Sequence, residues 1–282
     1  MNIAFVGIGL IGGSLALSLR RVGFAAHLTG VESNPQHAHQ ALQLGLVDTI
    51  QPLPTAVSGA DMVILAVPVH IARQLLPTIF DNLLPSAVVV DMGSTKDGIC
   101  TQFRNHPKRS QFVASHPMAG TEYSGPQAAV DHLFEDKKAI VCEPQYSANE
   151  AIEWVVSMYH NIGTQVLFYE SAAAHDKHVA YVSHLSHISS FMLGKTVLEV
   201  EKDEQHILEL ASTGFASTVR LAKSSPDTWT PIFLQNAALL SSALQTYIEN
   251  LQQFKKYIDA ADTQKLHQMM SEANQIGKII DP

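Results

Sequence analysis

A chain of 282 residues, 46% of them hydrophobic and 16% charged, is long enough for two domains with a substantial core. Its formal net charge of -8, with no long basic run, excludes a phosphate-neutralising nucleic-acid surface. Two widely separated cysteines, Cys100 and Cys142, exclude a disulfide framework and point to a reducing compartment.

The opening "MNIAFVGIGLIGGSLALSLRR" is apolar but does not read as an export signal. No basic segment precedes the apolar run, glycines interrupt it, and Arg20 and Arg21 come after it. No uninterrupted apolar run is long enough to span a membrane, so the cytoplasm is the expected location. Residues 3–9 instead read as a short buried strand. The pattern then switches to helical period, with Leu15, Leu19 and Val22 on one face. Between strand and helix lie Gly7, Gly9 and Gly12. The first permits a tight turn, and the second lets a pyrophosphate approach the backbone. The third lets the helix pack close, its N-terminal N–H groups facing the phosphates. A second strand, "HLTGVE", ends on Glu32, about twenty residues after the last of these glycines, where a ribose-binding acid is expected. A carboxylate there accepts from a ribose 2′-hydroxyl and repels a 2′-phosphate, and Ser33 and Asn34 bring no arginine to receive one. The cofactor read from this turn is NAD, not NADP.

The alternation continues. Residues 62–68 and 87–94 read as buried parallel strands, with helical patterns over 71–84 and 96–105. Further strands are expected at 111–115, 137–143 and 164–170. The pattern predicts a doubly wound α/β sheet of Rossmann type, whose ligands sit beyond the C-terminal strand ends. Pro68, Ser94 and His116 each fall at or just past such an end, so three strands deliver candidate residues to one rim.

From residue 171 the strand signals stop. Helical periodicity runs over 172–200 and again over 228–280, with a break expected near Asp259 to Asp262. The apolar surface exceeds what one short bundle needs, which predicts a homodimer built on these helices. The division expected is therefore a dinucleotide-binding domain over 1–170 and a helical substrate and dimerisation domain over 171–282. His175, His178, His184 and His187 crowd the first helix, and i,i+3 pairs share a face. No metal site is read from them: no cysteine lies nearby, no HExxH occurs, and Asp176 is the one adjacent acid.

Taken together, "GIGLIGGS", "DMGSTK", "SHPMAGTE", "HDKHVAYVSHLSH" and "TGFASTVRLAKSSPDTW" closely resemble the prephenate/arogenate dehydrogenase family of tyrosine biosynthesis. They run in that family's order from Gly7 to Trp229. Two departures stand out. Ser186 replaces the proline of the family's SHLPH, and Phe215, Ala216 and Ser217 stand where FRD or FKD often precedes the arginine motif. The resemblance implies an N-terminal Rossmann domain, a helical dimerisation domain, and hydride transfer from a cyclohexadienol to NAD with loss of CO2. It makes His116 the acid/base group on the C4 hydroxyl, with Ser94 orienting that hydroxyl or the imidazole. Arg220 becomes the anchor for a substrate carboxylate and His187 a second substrate contact, joined by Thr121 and Gly214. NAD would lie against Gly7, Gly9, Leu10, Ile11, Gly12, Glu32, Val67 and Pro68.

Prephenate and arogenate differ only at the side chain, keto against ammonium. NAD use favours prephenate at the level of the family, while Glu122 could receive an ammonium. Two rivals are weaker. A β-hydroxyacid dehydrogenase or imine reductase would share the Rossmann unit and helical tail. The first would want a catalytic lysine in a glycine-rich setting that neither Lys177 nor Lys195 has. A non-catalytic dinucleotide sensor has no use for Ser94, His116, His187 and Arg220 together.

Overall fold

The structure, a computed structural model, describes residues 1–203 and 206–280. The chain divides into two compact units, residues 1–236 and 237–282.

The first unit opens with β1 (Asn2–Val6), α1 (Leu10–Arg21), β2 (His27–Val31), α2 (Pro35–Gln43), β3 (Thr49–Ile50), α3 (Leu53–Ser58), β4 (Met62–Leu65), α4 (Val69–Asn82), β5 (Val88–Asp91), α5 (Asp97–Phe103) and β6 (Phe112–Pro117). It continues through β7 (Lys138–Cys142), α6 (Asn149–Asn161) and β8 (Gln165–Tyr169). The eight strands form one sheet in the order β3-β2-β1-β4-β5-β6-β7-β8. Alternate residues face opposite sides, so Ile3 and Phe5 pack on one face of β1 and Ala4 and Val6 on the other. The first face is covered by α1 and α6 through Leu15, Leu19, Val155 and Met158, and the second by α3, α4 and α5 through Val57, Leu76, Phe80 and Ile99. Burial on both faces explains why these strands read as continuous apolar runs.

Two details are not in the sequence reading. β7 pairs antiparallel with β6, although its apolar run resembles the others. The β6–β7 connection holds only a short 3-10 turn, Pro126–Ala128, and no crossover helix, so the chain comes back alongside itself. The second difference follows from the first. β6 does not end at Ser115, because β7 pairs His116 with Ile140 and Pro117 with Ala139. His116 therefore lies inside a strand.

Beyond β8 the unit is helical. α7 (Ala172–Val179) runs through a π-helical turn, Ala180–His184, into α8 (Leu185–Asp203), followed by α9 (Thr213–Thr218) and α10 (Pro226–Gln235). The second unit holds α11 (Ala237–Asp259) and α12 (Thr263–Ala273), with the expected break between them capped by Asp262, whose side chain accepts from Lys265 N. Among the described residues no helix is long and apolar enough to cross a membrane.

Candidate active site

The glycine turn connects β1 to α1, and each glycine has a separate steric reason. Gly7 has φ +90, and a Cβ there would lie 2.6 Å from Ala66 O. A Cβ on Gly12 would lie 2.1 Å from Gly7 O, so the helix can approach the turn only without one. Above Gly9, by contrast, a Cβ would meet nothing within 4 Å. That open face, at the N-cap of α1, leaves the first-turn N–H groups for a ligand. Leu10, Ile11 and Val67 are half-buried around it, and Pro68 is exposed at the start of α4. Glu32, just past β2, reaches back to this turn: its Oε2 accepts from Ile8 N at 3.4 Å and its Oε1 from Asn34 N at 3.0 Å. A dinucleotide fits this arrangement, with backbone donors for phosphates and a carboxylate at the neighbouring strand end for a ribose.

Along the same rim, β6 carries His116, 8% exposed. Its Nδ1 lies 2.9 Å from His175 Nε2, and His175 Nδ1 lies 2.8 Å from Asp176 Oδ1. Asp176 also accepts from Lys96 N and Asp97 N, and so fastens α7 to the loop after β5. That loop is secured again from below. The Lys96 ammonium, fully buried, pairs with Asp91 and donates to Ser115 O at 2.6 Å. Ser94 lies half-buried on the same loop, two residues before Lys96. Burial chiefly, then the charges of His175, Lys96 and His184, holds the His116 imidazole well below its ordinary pKa of 6.5. It is a neutral ring at neutral pH.

The π turn adds a residue to the helical repeat and brings His184 round towards Asp176. Asn236 Nδ2 donates to Asp176 O at 2.7 Å and lies 3.2 Å from His184 Nδ1. Burial of His184 pushes its pKa down to about 4. The unfolded chain takes up this proton near pH 6.5, whereas the folded chain resists it until about pH 4. Between those values the unfolded state binds more protons, so stability rises with pH. The contribution of His184 is complete above about pH 6.5 and is lost as pH falls to about 4, by up to about 3 kcal/mol. Urea titrations at about pH 7 and about pH 4.5 check this. The wild-type midpoint is expected to drop steeply on acidification. That of His184→Leu should start lower and drop less, and parallel slopes would reject the assignment.

A third group lies nearby in the fold. The His187 ring stacks on Trp229, centroids 3.4 Å apart, with Nδ1 3.0 Å from Ser183 O. Its pKa is lowered by burial, against the Ser183 carbonyl, and further by the Arg220 charge. Arg220 Nη1 lies 3.5 Å from Glu122 Oε2, and its side chain is 54% exposed. Arg220 thus links the loop after His116, where Thr121 is exposed, to the α8 histidine. Gly214 sits on exposed α9, where its carbonyl accepts from Thr218 Oγ1; among the described residues it joins none of these hydrogen bonds. Ser186, where the family has proline, donates to Val182 O within the helix. The sequence reading assigned His116 no protein partner beyond Ser94, whereas its Nδ1 meets His175.

Residues 15–168 match the family model described as prephenate dehydrogenase, nucleotide-binding domain, and residues 171–272 match prephenate dehydrogenase, dimerization domain. The prephenate dehydrogenase of Bacillus subtilis is 30% identical over 96% of this chain and 74% of its own length. Among solved structures, the prephenate dehydrogenase from A. aeolicus in complex with hydroxyphenyl propionate and NAD+ superposes with a TM-score of 0.90 at 31% identity, covering 100% of this chain and 98% of that one. Synechocystis arogenate dehydrogenase gives a TM-score of 0.75 at 28% identity, covering 99% of each chain. With its glycine turn and its buried rim histidine in one sheet, the chain belongs to the prephenate dehydrogenase family.

Proposed function

We propose that the chain catalyses the oxidative decarboxylation of prephenate to 4-hydroxyphenylpyruvate with NAD, in tyrosine biosynthesis. The observation that carries this reading is a neutral, buried His116 on the sheet rim that also bears the dinucleotide turn. NAD, when bound, supplies the hydride acceptor. The turn at Gly7, Gly9 and Gly12 holds its pyrophosphate and Glu32 its ribose. His116 accepts a hydrogen bond from the C4 hydroxyl, stabilising the positive charge that builds on that oxygen as C4 loses hydride. Ser94 orients the same hydroxyl. The electrons of the breaking bond to the ring carboxylate complete the aromatic ring, CO2 departs, and the oxygen keeps its proton as a phenol. Arg220 holds the side-chain carboxylate, with Thr121, Gly214 and His187 around the substrate. The division at residue 170, a homodimer through the helical part, and a cytoplasmic setting complete the proposal. They are supported by the dimerization-domain match over 171–272 and by two free, buried cysteines.

Arogenate is the second reading, favoured by Glu122: its carboxylate beside Arg220 could receive the substrate's ammonium. Steady-state kinetics at the NADH absorbance band, with both substrates and both cofactors, separate the two. Prephenate with NAD is expected to give the highest kcat/KM, and Glu32→Ala to narrow the preference for NAD over NADP. NADH formed from neither substrate would sink the proposal, and a wild-type preference for NADP would sink the role of Glu32.

A further inference from the structure

The hydrogen bonds leaving His116 end on a carboxylate whose own partners are fixed by the backbone. Asp176, 2% exposed, accepts Lys96 N–H at Oδ1, 2.8 Å, and Asp97 N–H at Oδ2, 2.9 Å. With both oxygens accepting backbone N–H groups, Asp176 serves as an acceptor, and its 2.8 Å contact with His175 places the proton on His175 Nδ1. A His175 ring with its single proton there carries its lone pair on Nε2. The 2.9 Å contact with His116 Nδ1 is a hydrogen bond only if His116 supplies the proton. His116 is thereby left with its lone pair on Nε2. His175 itself is 1% exposed and cannot act as a second base on a ligand.

We propose that His175 and Asp176 are positioning residues that set the Nδ1–H tautomer of His116, so that its Nε2 is held as the acceptor for the substrate hydroxyl. The identity of that hydroxyl rests on the proposed function; the tautomer does not. A free histidine in water favours the opposite form, with the proton on Nε2, so the relay reverses an intrinsic preference. It works only while both rings are neutral, since a doubly protonated His175 would turn an N–H towards His116 Nδ1. For His116 the surroundings act in that direction, burial first and then the neighbouring cations. Lys96, from the β5–α5 loop, adds positive charge balanced by Asp91, and His184 faces the pair from the π turn. The serine-protease aspartate has a comparable task, and its exchange for asparagine lowers kcat by about 10⁴ with geometry intact.

The test is 15N NMR of histidine-labelled full-length protein, with His116 assigned by its loss in His116→Asn. Wild-type His116 is expected to be protonated at Nδ1 and bare at Nε2 near neutral pH. In His175→Leu the population should move towards Nε2–H. Its kcat with prephenate should fall by about 10²-fold while the KM for NAD stays within about twofold. His175→Gln, whose amide oxygen can accept from His116 Nδ1–H, should recover part of the loss. A wild-type His116 protonated at Nε2, or an unchanged tautomer and kcat in His175→Leu, would overturn the proposal. Should His175→Leu fail to fold, the wild-type spectrum decides alone. Because that spectrum needs no substrate, a chain inactive on prephenate would sink the functional reading and leave the tautomer result standing.

Discussion

Replacing His116 with asparagine is expected to lower kcat by about 10²–10³-fold, the usual loss when one preorganised hydrogen-bond partner of the developing charge is removed, while NAD affinity stays close to wild type. The imidazole is proposed to act on the hydroxyl and not on the dinucleotide, whose contacts belong to the glycine turn. Asparagine keeps a short polar side chain in the strand, so β6 and its pairing with β7 should survive. The pH profile adds a second check. Activity needs the neutral ring, and burial with the charges of His175, Lys96 and His184 depresses its pKa well below 6.5. Wild-type kcat should therefore hold as pH falls through about 6.5 and decline only at more acidic values, and that acidic limb should vanish in the variant. Turnover near wild type in His116→Asn would return this residue to a purely structural role.

For Arg220→Ala the expected effect lies on binding. If Arg220 holds the side-chain carboxylate, the contact is equal in ground and transition states, and its loss raises KM for prephenate with little change in kcat. The product 4-hydroxyphenylpyruvate keeps that carboxylate, so its inhibition constant should rise in parallel, by about 2–3 kcal/mol for a charge-assisted pair, or about 30- to 150-fold. The side chain suits such a role: it is half open to solvent and meets Glu122 across a single 3.5 Å contact. Holding the ring carboxylate would instead stabilise the charge that the reaction must remove, which works against catalysis. Unchanged product inhibition beside a large rise in substrate KM would move Arg220 to the ring carboxylate.

Which parts of this site could be read without coordinates follows from how local each one is. Gly7, Gly9, Gly12 and Glu32 announce themselves because the dinucleotide turn is a short-range object, and contacts such as the one a Cβ on Gly12 would make with Gly7 O act within a few residues. The antiparallel β7 had no such signal. "KKAIVCE" is apolar in the same way as its parallel neighbours, and direction depends on what the connecting segment does. The relay is the least legible element. His116 and His175 are 59 positions apart, and regular helical spacing pairs His175 with His178 and His184 with His187. The fold separates both pairs: His175 is buried while exposed His178 meets Tyr169, and the π turn swings His184 inwards to Asn236. A phase change of one residue leaves no mark on composition or periodicity, so Asp176 stood out only as the one acid beside the histidines.

The buried pair beneath the rim bears on how this lineage can vary. Asp91 and Lys96 are both sealed from water, and Lys96 also holds the carbonyl of Ser115, the residue before His116. Removing one charge strands the other, at a cost of about 3–5 kcal/mol, whereas exchanging both for apolar neighbours of similar volume is often neutral or favourable. Mutation by single steps therefore meets a fitness valley on either side of the present pair. A change at one of the two positions is therefore expected to survive only beside a matching change at the other, and the strand that carries the histidine is tied to both.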